Sequence, residues 1–180
     1  MITVAIIGAG PLGRWLALSA ARAGYTVLLE DVMPANLHHA REYLRQELDR
    51  AALPMINFVP SIEEAVRDAD LVIDCVPDEL ESKLEILWLL DRMAPPRTVL
   101  VTPTTRLSIT DLAGCTYRAE KCVAVAIDAR DLAVREPQSS PDAELVLRTT
   151  AQTAPATVHL VQEFWQKLGF SPRVEQDPTT

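Results

Sequence analysis

The stretch VAIIGAGPLGRWLALSAARAGYTVLLED, residues 4–31, decides the fold. It begins inside a short β-branched run, ITVAII (2–7), of the kind expected in a strand buried on both faces. Glycines interrupt the run at once. From Pro11 onward, Leu12, Trp15, Leu16, Ser19 and Ala23 recur at helical spacing, and Gly24 stops the helix. TVLLE (26–30) then reads as a second buried strand.

The turn between the first strand and the helix is G-x-G-x-x-G, formed by Gly8, Gly10 and Gly13. Each glycine answers a separate demand of dinucleotide binding. Gly8 permits the tight turn, Gly10 lets a pyrophosphate approach the backbone, and Gly13 lets the helix pack closely on the sheet. The helix start, with Pro11 and Leu12, turns unpaired N–H groups and a positive dipole end toward the phosphates. Pro11 itself brings no donor. Glu30 and Asp31 stand 17 and 18 residues after Gly13, where an acid at the end of the second strand accepts from the adenine ribose. An acid there repels a 2′-phosphate, so NAD is the expected cofactor, held by Gly8, Gly10, Pro11, Leu12, Gly13 and Asp31.

Further along, strands and helices alternate. Pro34 opens a helix striped by Leu37, Ala40, Leu44 and Leu48 and running to about Arg50. INFV (56–59) is a short strand, and Ser61 with Glu64 makes a capping box. DLVIDCV (70–76) is a buried strand, followed by a helix marked by Leu80, Leu84, Leu87 and Trp88, with Glu79 and Lys83 an i,i+4 pair. TVLVT (98–102), a short SITDLA helix, CVAVAI (122–127) and ELVLRT (144–149) follow. Residues 128–142 read as a loop. A final helix carries Val158, Val161, Phe164, Trp165 and Leu168, closes at Gly169, and leads into an edge strand, SPRVE. The expected fold is α/β: a Rossmann-type, doubly wound, mostly parallel sheet with helices on both faces.

The bulk numbers set limits. The chain of 180 residues is 48% hydrophobic and 23% charged, which suits one globular domain, here a dinucleotide-binding domain over 1–180. A net charge of −8 argues against binding nucleic acid. Cys75, Cys115 and Cys122 form no CxxC pair, and Cys75 and Cys122 read as buried reduced thiols, as in a cytoplasmic protein. No apolar run reaches the ~18 residues of a membrane span. His38, His39 and His159 have no ligand partners at metal spacing, so no metal is expected.

From DLVIDCVPDELESK (70–83) onward the sequence resembles one family, the NAD-binding domain of the 3-hydroxyacyl-CoA dehydrogenases, which oxidise the 3-hydroxyl of fatty acyl-CoA thioesters. In that family the fourth strand runs D-L-V-I-E-A-V-x-E into a helix that carries a lysine. The likeness continues through VLVTPTTRLSITDLA (99–113) and TVHLVQEFWQKLGFSPRVEQD (157–177), so it covers residues 1 to about 177. It implies a place in fatty acid metabolism. It also implies cofactor contacts at Val76, Pro77, Asp78, Lys83 and Thr104, with Asp78 and Lys83 near the nicotinamide ribose. Thr105 falls on the serine that contacts the substrate oxygen and is the expected catalytic residue. Pro103 falls on an asparagine, which removes an amide contact.

The chemistry departs from the family. Oxidising a secondary alcohol requires a base for the hydroxyl proton as hydride leaves. The family's histidine falls on Ala126, and the glutamate that orients it falls on Val146 or Leu147, depending on a one-residue gap. His159 lies 33 residues beyond Ala126 and is no replacement. The family's long helical excursion after its second strand and its helical second domain have no counterpart here, so no substrate domain and no acyl-CoA site are expected. Three readings follow. The first is an NAD(H)-binding protein without the usual pair. The second is an oxidoreductase on another substrate, using Asp128, Arg130 or Asp131, or completed by a partner chain or a second copy. The third is a redox-sensing module built on the 128–142 segment.

Overall fold

The computed structural model describes residues 1–132 and 143–178. They divide into two compact units.

The first unit comprises Met1–Cys75 and Met93–Thr98. Its elements are β1 (Thr3–Ile7), α1 (Pro11–Arg22), β2 (Thr26–Glu30), α2 (Pro34–Glu47), β3 (Ile56–Val59), α3 (Ile62–Val66) and β4 (Leu71–Asp74). The strands lie in the order β3-β2-β1-β4, all parallel. Val4, Ala5 and Ile6 of β1 and Leu71, Val72 and Ile73 of β4 are wholly buried, which is why these runs carry no polar alternation. In register, Ile7 pairs with both Glu30 and Asp74, so the carboxyl ends of β2, β1 and β4 finish together. Chain order reverses beside β1, whose neighbours are β2 and β4. Ligands of open α/β sheets bind at such a switch point.

α1 is buried more widely than its five-residue stripe foretold. Ala17, Leu18, Ala20 and Ala21 are buried as well as Trp15, Leu16 and Ser19, while Leu12 and Ala23 are only half-buried. Full burial of Leu16 and Leu18 stabilises the unit by about 1.5–3 kcal/mol each. Gly24 sits at φ +86°, the left-handed conformation that ends the helix. α2 closes at Glu47, three residues short of Arg50, with Leu48 already extended. The Ser61 hydroxyl caps α3 by accepting from the Glu64 N–H at 3.3 Å, and Glu64 answers through the hydroxyl rather than through the Ser61 backbone.

The second unit comprises Val76–Arg92 and Val99 onward. It contains α4 (Leu80–Met93), whose last residue belongs to the first unit, then β5 (Val99–Pro103), α5 (Ile109–Ala113) and β6 (Cys122–Val125). α6 (Ala129–Leu132), β7 (Ala143–Thr149), α7 (Pro155–Lys167) and β8 (Phe170–Gln176) complete it. The strand order is β5-β6-β7-β8, with β5 parallel to β6, β6 antiparallel to β7, and β7 parallel to β8. One antiparallel step among parallel pairs gives the mostly parallel, helix-flanked Rossmann-type fold that the sequence predicts. Asp177, just beyond β8, accepts from the Ser108 hydroxyl at 2.5 Å and the Thr110 N–H at 3.0 Å, tying the chain's end to the start of α5.

Three expectations need correction here. Leu80 and Trp88 do not face a core. They are about half exposed, and α4 buries Lys83, Ile86, Leu87 and Leu90 instead. Arg92 covers the Trp88 ring at 4.6 Å, so the tryptophan keeps a partner at the surface. Residues 129–132 are helical rather than loop, and the rest of the 128–142 reading falls on 133–142, outside the described residues. Cys75 is half-buried rather than buried.

Candidate cofactor site

The glycine turn leaves β1 through Gly8, at φ +103°, a conformation that side-chain-bearing residues rarely adopt. The Gly8 N–H donates to the Glu30 carbonyl at 2.8 Å, so the turn is fastened to the end of β2. A Cβ on Gly13 would lie 1.8 Å from the Gly8 carbonyl oxygen. Gly13 thus lets α1 approach the turn itself, a closer contact than helix against sheet. A Cβ on Gly10 would meet nothing within 4 Å. Internal packing therefore gives no reason for glycine at position 10, whereas close approach of a ligand does. The start of α1 has no side-chain cap and no acid in its first turn, so its N–H groups and positive dipole end remain available to an anion. These features fit a pyrophosphate.

Asp31 follows β2 directly and is 9% exposed. Its Oδ2 accepts from the Ala9 N–H at 2.9 Å, which links the acid to the glycine turn. Its Oδ1 accepts from the Met33 N–H at 2.8 Å, and the Asn36 amide reaches both oxygens, at 3.2 and 3.1 Å. Glu30, its neighbour, is buried. Burial, and then the charge of Asp31, push its carboxyl up to about 7. The sequence offered two adjacent acids as ribose partners. The structure gives the glycine-turn contact to Asp31 and buries Glu30.

In the second unit, Asp78 organises the turn that follows β5. Its carboxylate accepts from the Thr104 hydroxyl at 2.5 Å and the Thr105 N–H at 3.1 Å. Its carbonyl accepts from the Arg106 guanidinium at 2.6 Å. Thr104 is 1% exposed, and its hydroxyl oxygen also accepts from the Leu107 N–H at 3.0 Å. Asp78, Thr104 and Thr105 are therefore one hydrogen-bonded group. Thr105 is exposed, Val76 is half-buried and Pro77 is exposed. Lys83 is buried in α4. Arg106, directly after Thr105, joins this group without any motif to mark it; its one sequence signal is the lone charge in TPTTR.

The Ala126 N–H donates to the Val146 carbonyl at 2.9 Å, and Val125 pairs with Leu147. Val146 is thus the cross-strand neighbour of Ala126, while Leu147 is fully buried beside Val125. His159 lies on α7, mostly exposed, 3.6 Å from Glu163. His38 and His39 are exposed on α2.

A Rossmann-type fold with this glycine turn defines a dinucleotide-binding protein. The family model for the NAD-binding domain of 3-hydroxyacyl-CoA dehydrogenase matches residues 3–177, and the chain belongs to that family. It is 31% identical over 133 residues to a probable 3-hydroxybutyryl-CoA dehydrogenase of Bacillus subtilis, covering 67% of this chain and 46% of that protein. To the human lambda-crystallin homolog it is 30% identical over 189 residues, covering 97% and 57%. Among solved structures, the 3-hydroxyacyl-CoA dehydrogenase of Archaeoglobus fulgidus superposes with a TM-score of 0.81 at 26% identity, over 99% of this chain and 58% of that one. The chain spans about half the length of the curated relatives it matches. Its cofactor is NAD.

Proposed function

We propose that this protein binds NAD(H) through the glycine turn and Asp31 but lacks the histidine–glutamate pair with which its family removes the substrate proton. The observation that carries this reading is the contrast between two places. The turn is complete, down to a Gly10 position with open space around it. At the position of the base stands Ala126, and its cross-strand neighbour is Val146. Neither side chain can accept or relay a proton.

The chain's own residues divide the work of binding. Gly8, Gly10, Pro11, Leu12 and Gly13 receive the pyrophosphate, and Asp31 accepts from the adenine ribose. The family likeness supports further cofactor contacts at Val76, Pro77, Asp78, Lys83 and Thr104, with Asp78 and Lys83 near the nicotinamide ribose; bound NAD would supply the hydride acceptor. Thr105 presents a hydroxyl where the family contacts its substrate. Asp128 is a poor substitute base. The Arg130 guanidinium and N–H hold its carboxyl below the usual carboxylate range, and a carboxylate so stabilised takes up protons weakly.

A second reading is an oxidoreductase that acts on another substrate or is completed by a partner chain or second copy. The range of its relatives supports it: one is named L-carnitine dehydrogenase and another 5-formyl-3-hydroxy-2-methylpyridine 4-carboxylate 5-dehydrogenase. We assign the protein to the cytoplasm on its three free thiols; no described helix is long and apolar enough to cross a membrane. Calorimetric titration with NADH and NADPH, followed by assays with acetoacetyl-CoA and small hydroxy acids, separates the two readings. Binding that favours NADH, without turnover of any substrate, supports the first. Turnover of a small acid establishes the second.

A further inference from the structure

The Asp31 carboxylate has no acceptor position left for a ribose. A carboxylate offers about four lone-pair sites, two on each oxygen. On Oδ1 these receive the Met33 N–H at 2.8 Å and the Asn36 amide at 3.2 Å. On Oδ2 they receive the Ala9 N–H at 2.9 Å and the same amide at 3.1 Å.

The donors are of two kinds. Ala9 and Met33 give backbone N–H groups, fixed by the glycine turn and by the lead into α2. Asn36 gives a side chain, from an exposed residue in the first turn of α2, on two rotatable bonds. Only the side chain can leave without moving an element. Moreover, its NH2 spans both carboxylate oxygens. A vicinal diol makes the same two-point donation when it docks on a carboxylate. The amide and the 2′,3′-diol of an adenine ribose therefore compete for the same lone pairs.

We propose that Asn36 is a cofactor-affinity determinant: it occupies the ribose-diol position on Asp31 in the free protein and is displaced by the adenine ribose on binding. In the free state it satisfies a carboxylate that is only 9% exposed. On loading, the Asn36–Asp31 contact is exchanged for the ribose–Asp31 contact, so cofactor binds more weakly than to a vacant Asp31. The Ala9 and Met33 bonds persist and keep the carboxylate aimed. The inference rests on NAD binding by the glycine-turn unit and is independent of what becomes of the hydride.

The test is calorimetry of Asn36→Ala with ADP-ribose, with ADP, and with 2′,3′-dideoxy-ADP, which lacks the diol. The substitution should tighten ADP-ribose and ADP about three- to tenfold, the scale of one ordinary hydrogen bond removed from competition, and leave the dideoxy compound unchanged. Unchanged or weaker ADP-ribose binding overturns the proposal, as does an equal gain for the dideoxy compound. Should Asn36→Ala fail to fold, the wild-type protein decides. Its Asn36 side-chain amide proton signals must shift on saturation with ADP-ribose, and signals that stay in place refute displacement. A wild-type protein that binds no ADP-ribose refutes the cofactor site itself, and the role of Asn36 with it.

Discussion

Ala126 and Val146 face each other across an antiparallel pair, the N–H of the first donating to the carbonyl of the second at 2.9 Å. Opposed residues of such a pair present their side chains on the same face, close enough to touch. On the proposed assignment, the family's imidazole position is Ala126 and its carboxylate position is Val146 or Leu147; of these two, Val146 is the one that stands opposite Ala126, and all three residues are apolar. Installing the pair tests the assignment. Val146→Glu together with Ala126→His should raise the new imidazole's pKa by about one unit over Ala126→His alone, because an adjacent carboxylate favours the charged ring. Nuclear magnetic resonance titration of the ring protons reads this directly. Equal pKa values in the single and double variants would show that the positions do not face one another.

Gly10 and Gly13 predict opposite phenotypes. A methyl at Gly13 would lie 1.8 Å from the Gly8 carbonyl oxygen and must displace backbone, so Gly13→Ala should cost about 1–3 kcal/mol of stability. A methyl at Gly10 meets nothing, so Gly10→Ala should leave the melting temperature near wild type while weakening NADH at least about tenfold through the blocked pyrophosphate. Thermal melts beside calorimetry distinguish the two. A destabilised Gly10→Ala with normal affinity would contradict the role given to that glycine.

Glu30 gives the protein a pH dependence of known sign. Its carboxyl titrates at about 7 in the folded chain against 4.5 when unperturbed, so the folded state holds the proton more tightly. The stabilisation is complete below pH 4.5, is lost as pH rises toward 7, and stays lost above. Glu30→Gln cannot lose that proton and should flatten this decline. Urea unfolding at several pH values between 5 and 8 reads the effect, and parallel curves for wild type and variant would refute it.

Asp78 supports the turn that carries Thr105. Removing its carboxylate in Asp78→Ala strands the Thr104 hydroxyl, 1% exposed, and the Thr105 N–H, at an expected cost of about 1–3 kcal/mol. Asp78→Asn keeps an acceptor and should cost less. Equal losses from both substitutions would mean that the charge, rather than the acceptor geometry, holds the turn.

The fold was legible because its signals are local and periodic. Buried parallel strands read as unbroken apolar runs, and the glycine turn has fixed spacing, so β1, α1, β2 and Asp31 could be placed from residues 2–31 alone. Other features depend on the surroundings of one side chain. Leu80 and Trp88 sit at helical spacing with Leu84 and so resemble a core stripe, yet Lys83, Ile86, Leu87 and Leu90 face inward. Spacing pairs Lys83 with Glu79, and only packing shows its burial. Glu30 and Asp31 are chemically alike in sequence. Packing at the end of β2 buries the first, although its strand face is only half-buried at Thr26 and Leu28, while backbone donors engage the second. Asn36 gave no signal, because its role lies in geometry across five residues of chain and not in residue type.

The central claim is that cofactor is bound without the chemistry of the family. It is tested most directly by mixing NADH-saturated protein with acetoacetyl-CoA and following NADH fluorescence in a single turnover. The account predicts that fluorescence of the bound NADH stays constant over many minutes. Its decay at about 1 s⁻¹ or faster, the lower range of ordinary enzyme turnover, would contradict it.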